Sequence, residues 1–213
     1  MKKIVLLFLI SFGSFAQENH APLPPIPLEA TFGHARLNFQ AVLTRPISKN
    51  GKLGFFNLST AAADYANTPS ETEMVVINNL TYTLAGNFKA AGGAQWNNKF
   101  GLVPQIGMQY FKANRTWLLV LNPSITLQPV KNFETLGLVE YKPALSKSIQ
   151  LYTRAQVLYI QNLQDGQHGR SAIILRAGLS FSKFTLGLGA NFDYYGPKKM
   201  EKDNVGLFTR LNL

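Results

Sequence analysis

The chain has 213 residues, with 21 Lys and Arg against 11 Asp and Glu, a formal charge of +10 and no cysteine. The length suits one domain, and the missing cysteines exclude disulfides, thiolate metal sites and a lipoprotein anchor. The basic balance fits anionic lipid, acidic solutes or nucleic acid, and the export argued next makes nucleic acid the poorest fit.

In residues 1–16, Lys2 and Lys3 precede an apolar run that ends in Ser14-Phe15-Ala16. A charged start, an apolar middle and small residues before the cut are the pattern of a signal peptide, and the run is too short to span a membrane. Residues 17–27, QENHAPLPPIP, are proline-rich and read as an extended periplasmic tether. Residues 28–213 are left for a single folded domain. That domain has no stretch of about 20 apolar residues and no convincing amphipathic helix.

Alternating segments follow one another instead, separated by Gly, Asn, Asp, Ser and Lys. Strands are predicted near 34–45, 52–63, 73–84, 88–96, 100–112, 115–127, 132–142, 148–160, 171–181, 184–194 and 204–213. A weaker strand is predicted near 26–32. Asn50-Gly51 in RPISKNGKLGFF is the strongest short hairpin signal in the chain. A turn through Ala85-Gly86-Asn87 pairs Leu84 with Phe88 and Tyr82 with Ala90. A turn at Ala113-Asn114 pairs Tyr110 with Trp117, Met108 with Leu119 and Ile106 with Leu121. That register sets Pro104 opposite Pro123, and since neither donates to a ladder, a bulge or bend is expected there. A two-residue turn at Ser182-Lys183 sets Phe181 against Phe184, Leu179 against Leu186, Ala177 against Leu188, Leu175 against Ala190 and Ile173 against Phe192. Every apolar residue of that hairpin meets another, as one buried face requires.

Alternation alone does not say which face is inside. The polar face does. It holds Gln105, Gln109, Asn122, Ser124, Thr126, Gln150, Gln156, Ser180, Thr185 and Asn191, with few of the charges a soluble exterior carries. Aromatic residues gather at both strand ends: Tyr110, Trp117, Phe181, Phe184, Phe56 and Phe88 near the short turns, and Trp96, Phe100, Phe133, Tyr159 and Tyr194 at the other end. Two aromatic belts around an aliphatic band fit a transmembrane barrel whose apolar face meets lipid. The segments 64–72, 161–170 and 195–203 read as long extracellular loops, alternating with short periplasmic turns. The fold class is therefore all-β, an antiparallel up-and-down transmembrane barrel of twelve strands, with ten as the alternative.

On these features the chain resembles the small outer-membrane β-barrel proteins of Gram-negative bacteria. The leader ending SFAQ resembles those of Bacteroidota. The closing NVGLFTRLNL, with Val205, Leu207, Thr209, Leu211 and Leu213 alternating, resembles the terminal strand read by the barrel-assembly machinery. It ends in Leu213 where phenylalanine is usual. The resemblance implies the outer membrane as location, with its lipids and that machinery as partners.

The lumen supplies the candidate site. In the expected register Glu140 opposes Arg154, Arg176 and Arg210 flank Gly189, and Asp193 lies further along that strand. One reading is a barrel-filling network in which arginines and carboxylates satisfy one another. The other is a constriction with excess positive charge that selects anions, and monomeric porins for acidic sugars resemble this chain in size and basic lumen. Arg45, Lys49, Lys52, Lys89, Lys112, Arg115, Lys142, Lys147 and Lys183 collect at the short-turn side, where anionic head groups would hold them. No catalytic motif is present: H-E-x-x-H, G-x-S-x-G and the phosphate loop are all missing. The histidines are His20, His34 and His168, the last in a loop with Asp165. Outer-membrane phospholipases use a His/Ser pair at a lipid-facing rim, and the lipid-facing positions assigned above hold neither. The expectation is a non-enzymatic pore for small hydrophilic, preferably anionic, solutes, without metal or cofactor. A closed barrel that recognises partners through its loops is the alternative, ahead of a lipid-modifying enzyme and a soluble lipocalin-like binder.

Overall fold

A computed structural model describes residues 23, 25–66, 68–127 and 131–213. The expected signal peptide and residues 17–22 and 24 of the expected tether lie outside these residues. Twelve strands close into one antiparallel barrel. They are β1 (Pro27–Gly33), β2 (Arg36–Pro46), β3 (Leu53–Asp64), β4 (Glu73–Ala85), β5 (Phe88–Asn97) and β6 (Gly101–Ala113). They continue as β7 (Trp117–Thr126), β8 (Asn132–Tyr141), β9 (Ile149–Asn162), β10 (His168–Phe181), β11 (Phe184–Tyr195) and β12 (Met200–Asn212). Each strand pairs with its neighbours in sequence, and β1 pairs with β12 to leave no free edge. The weakest strand of the sequence reading, near 26–32, is thus the one that closes the cylinder.

The faces divide as the polar pattern requires. Leu80, Ile106, Leu121, Ile173, Leu188 and Leu207 are exposed, whereas Gln105, Gln109, Asn122, Gln156, Thr185 and Asn191 are buried. A soluble protein reverses this arrangement, so the exterior is a lipid-facing band and the protein is an outer-membrane barrel. Exposed Tyr82, Phe88, Trp117, Tyr141, Phe181 and Phe184 ring the end that holds the Ser182-Lys183 turn, and Phe39, Trp96 and Tyr159 lie toward the other. Ring contacts strengthen the first belt, with Phe88 and Tyr110 edge to face at 4.9 Å and Trp117 and Tyr141 at 4.4 Å. One patch departs from the rule. Asn57 and Asn78 face each other in the middle of β3 and β4 on the lipid side, where Asn57 Nδ2 donates to Asn78 Oδ1 at 2.9 Å.

The β10–β11 hairpin has the expected register from Phe181↔Phe184 to Ile173↔Phe192. Its inner face carries Gly178 opposite Gly187. A Cβ on Gly178 would lie 2.3 Å from the Leu186 carbonyl oxygen, and one on Gly187 would lie 2.2 Å from that of Ala177. Only glycine lets the two backbones approach this closely on the concave side.

Other registers differ from expectation. Asn114 Oδ1 accepts from the N–H groups of Thr116 and Trp117, at 2.8 and 2.7 Å, which moves the β6–β7 turn toward the C-terminus. Tyr110 therefore faces Leu121 rather than Trp117. An even slip keeps every side chain on its own face, so alternation could not detect it. Pro104 pairs with Ala94 and Pro123 with Thr135, so the prolines do not oppose each other. The ladder breaks opposite Asn122 and Pro123 and resumes in the same register, without a bulge. A bulge does occur at Leu84, which leaves Ala85 to pair with Phe88. Phe56, expected in the belt, points inward and is 4% exposed. At the other end, β10 begins at His168 and β12 at Met200, so strands run into two of the three expected loops, while 65–72 between β3 and β4 stays long. The residues left between strands there are 163–167 and 196–199, against 142–148 between β8 and β9, and connection length no longer separates the two ends.

Candidate functional site: a blind vestibule above an ion-paired floor

The β11–β12 turn decides where the lumenal charges fall. Lys199 N–H donates to the Gly196 carbonyl, with φ of +67° at Gly196, so the chain reverses within four residues and Tyr195 pairs with Met200. Gly189 consequently faces Gly206, and Arg210 faces Thr185. Arg176 lies opposite Gly189 as expected, but Arg210 does not. The space beside Gly189 is taken by the Arg176 side chain, at 3.2 Å from where a Cβ would stand.

Glu140 and Arg154 are register partners, as expected from sequence, yet their ion pairs cross to other strands. Arg154 Nη2 and Arg176 Nε both donate to Glu29 Oε1 on β1, at 2.7 and 2.8 Å. Arg176 spends its remaining donors on Thr31, Asn191 and the carbonyls of Leu175 and Ala190. Glu140 accepts from Arg210 at 2.6 Å, Lys142 at 2.9 Å and the Tyr152 hydroxyl at 2.9 Å. Arg210 also contacts the Tyr152 hydroxyl and lies over its ring, while Arg176 lies over Phe208. Four cations thus face two carboxylates, all within hydrogen-bond reach of a partner, which is how buried charges become tolerable.

These groups form a floor. Tyr152 and Phe208 are each 1% exposed and Glu140 is 2%, so these side chains are packed away from solvent. Val120 and Leu138, register partners on β7 and β8, are buried on the inner face as well. Above the floor a vestibule of about 570 Å3 opens at the end that carries the 163–167 and 196–199 connections. Glu29 and Arg176 line its bottom, and Leu58, Ile77, Val103, Leu136 and Leu158 contribute apolar wall. Glu134 projects from that wall and accepts from Gln95 Nε2 at 2.9 Å. At the mouth, Asp193 accepts from Arg170 at 2.7 Å and Glu73 from the Tyr195 hydroxyl at 2.7 Å. Asp193 thus belongs to the mouth and the other four sequence-predicted residues to the floor. Among the described residues no group of three or more metal-binding side chains is assembled.

Sequence reasoning missed Glu29, Tyr152, Phe208 and the rim residue Ser171. Strand parity places the first three inward once β1, β9 and β12 are accepted. Ser171 is different. Its Oγ lies 2.6 Å from His168 Nε2 on the outer rim, and His168 Nδ1 lies 2.8 Å from the Gly196 carbonyl oxygen. The lipid-facing side therefore does hold a histidine and a serine, contrary to expectation.

No family model and no curated protein matches this chain. Among solved structures it is similar to a NanC porin in a rhombohedral crystal form, at 11% identity and TM-score 0.49, over 88% of this chain and 100% of the porin. It is also similar to the KdgM porin, at 9% identity and TM-score 0.46, over 88% of this chain and 98% of that one. A bacterial polysaccharide outer membrane secretin matches at 8% identity and TM-score 0.42, over 90% and 98% of the two chains.

Proposed function

We propose that the lumen is a narrow conduit for small hydrophilic solutes, with a preference for anions, and that passage is controlled at its floor. The end bearing the termini of β1 and β12 faces the periplasm in this reading, and the vestibule opens outward. The observation that carries it is the vestibule itself, at whose bottom Glu29 and Arg176 present charged groups above the buried rings of Tyr152 and Phe208. A barrel that needs only to be filled is served as well or better by apolar side chains, because ion pairs recover their desolvation cost poorly. Long, hydrogen-bonded charged side chains can instead exchange partners. An entering carboxylate or phosphate offers Arg176 and Arg154 the same acceptor chemistry that Glu29 does. With Arg154, Arg176, Arg210 and Lys142 against Glu29 and Glu140, a parted floor carries excess positive charge. Such transport is diffusive and non-enzymatic.

Proteoliposome swelling tests this reading. Wild-type protein is expected to admit small neutral sugars slowly, and Glu29→Gln to admit them faster by loosening the floor. A salt gradient across the same vesicles should report anion preference, reduced in Arg176→Gln. A second reading has its own support: the 1% exposure of Tyr152 and Phe208 suits a permanently closed barrel that acts through its loops. No permeation in wild type or in Glu29→Gln would decide for it.

A further inference from the structure

His168 and Ser171 are three positions apart on β10, a spacing that sends side chains to opposite faces of a regular strand. A register shift between His168 and Arg170 absorbs one residue and brings them to the same side. The hydrogen bonds then fix the polarity of the pair. The Gly196 carbonyl can only accept, so Nδ1 carries the proton and Nε2 is left as acceptor for the Ser171 hydroxyl. Gly196 is itself held, since its N–H donates to the Gly169 carbonyl at 2.8 Å. A nucleophile, a base in the correct tautomer and a group that orients the base are therefore in place.

The surroundings name the substrate class. Ser171 pairs with Tyr159 on β9 and with Tyr194 on β11, which places two phenols beside it on the lipid-facing side. Neither hydroxyl has a hydrogen-bond partner among the described residues. Each hydroxyl is an uncommitted donor on a strand flanking the nucleophile, available to an oxyanion. Tyrosines at this height mark the membrane interface, the depth at which the ester linkages of lipids lie.

We propose that Ser171 and His168 form a hydrolytic dyad for carboxylic esters of membrane lipids, independent of the conduit reading. Ser171 Oγ attacks the ester carbonyl as its proton passes to His168 Nε2, and Tyr159 or Tyr194 donates to the resulting oxyanion. Collapse breaks the ester C–O bond, and His168 returns the proton to the departing alcohol. Water, activated by the same Nε2, then cleaves the acyl-serine to release the fatty acid and restore the hydroxyl. Water is the only co-reactant. The Gly196 carbonyl acts as a positioning group.

The test uses the full barrel in mixed micelles of detergent and dioleoyl phosphatidylethanolamine, with fatty-acid release and fluorophosphonate labelling as readouts. The wild type should release fatty acid and be labelled on Ser171. Ser171→Ala should abolish both, and His168→Ala should slow both by about 100- to 10,000-fold. Asp165→Asn, on a side chain that accepts from the Gln167 N–H, should leave both unchanged. Wild-type protein, shown folded by its heat-modifiable gel mobility, that neither releases fatty acid nor takes the label would overturn the proposal. So would labelling of Ser171 at an undiminished rate in His168→Ala.

Discussion

Glu29 and Arg176 are 147 positions apart and share a 2.8 Å hydrogen bond in the middle of the barrel. Glu29 also takes Arg154, so one carboxylate from the shortest strand pairs with two guanidinium groups. Removing one member of a buried pair leaves an uncompensated charge, at a cost of about 3–5 kcal/mol. Glu29→Gln should therefore lose that much stability in urea unfolding from lipid vesicles. An unchanged midpoint would show that the guanidinium groups find other partners.

The Asn57–Asn78 pair predicts a non-additive pattern. Asn57 Nδ2 donates to Asn78 Oδ1 and to the Ile77 carbonyl, and Ser59 donates to Asn57 Oδ1, all facing lipid. Hydrocarbon offers no replacement partner. Changing either asparagine alone to leucine should cost about 0.5–1.5 kcal/mol. The double change to leucine should be at least as stable as wild type. Costs that simply add would contradict the account of this pair.

Two glycines with opposite surroundings make a paired test. Gly187→Ala puts a methyl group 2.2 Å from the Ala177 carbonyl oxygen, whereas nothing lies within 4 Å of a Cβ on Gly92. The first should abolish or sharply reduce folded barrel on a heat-modifiability gel. The second should shift stability by no more than about 0.5 kcal/mol. Equal behaviour of the two would argue against the close approach of β10 and β11.

One contact outside the membrane responds to pH. Lys202 Nζ donates to Glu71 Oε2 at 2.6 Å, and this hydrogen bond holds the Glu71 carboxyl below its ordinary value of 4.5. A depressed folded pKa means the contact is intact above 4.5 and is lost as pH falls through the lower folded value. Titration of the Glu71 carboxyl by NMR should give a lower pKa in wild type than in Lys202→Ala. Identical curves would remove the contact from the account.

Strand positions, strand count and the inside-out polarity were legible in the sequence because period-two alternation and side-chain chemistry are local. Register was legible only where the turn announced itself. Ser182-Lys183 did so, whereas the Asn114 side chain moved the β6–β7 turn by capping backbone donors beyond it. The same limit explains the site. Arg154, Arg176 and Glu140 were placed inside by parity, but their ion pairs run across the lumen, and no pattern along the chain encodes a chord. Arg210 was misplaced because the tight 196–199 turn lengthened β12. The pair stayed hidden because an irregularity in β10 between His168 and Arg170 reversed the parity of His168 relative to Ser171.

Planar-bilayer recording tests the central claim, that ion pairs at Glu29 and Glu140 hold the lumen shut. Wild-type protein is predicted to give a quiet baseline with sparse, small steps, and Glu29→Gln/Glu140→Gln to give larger, anion-preferring ones. Steady, large current from the wild type would contradict the account, as would silence from the double variant inserted and folded.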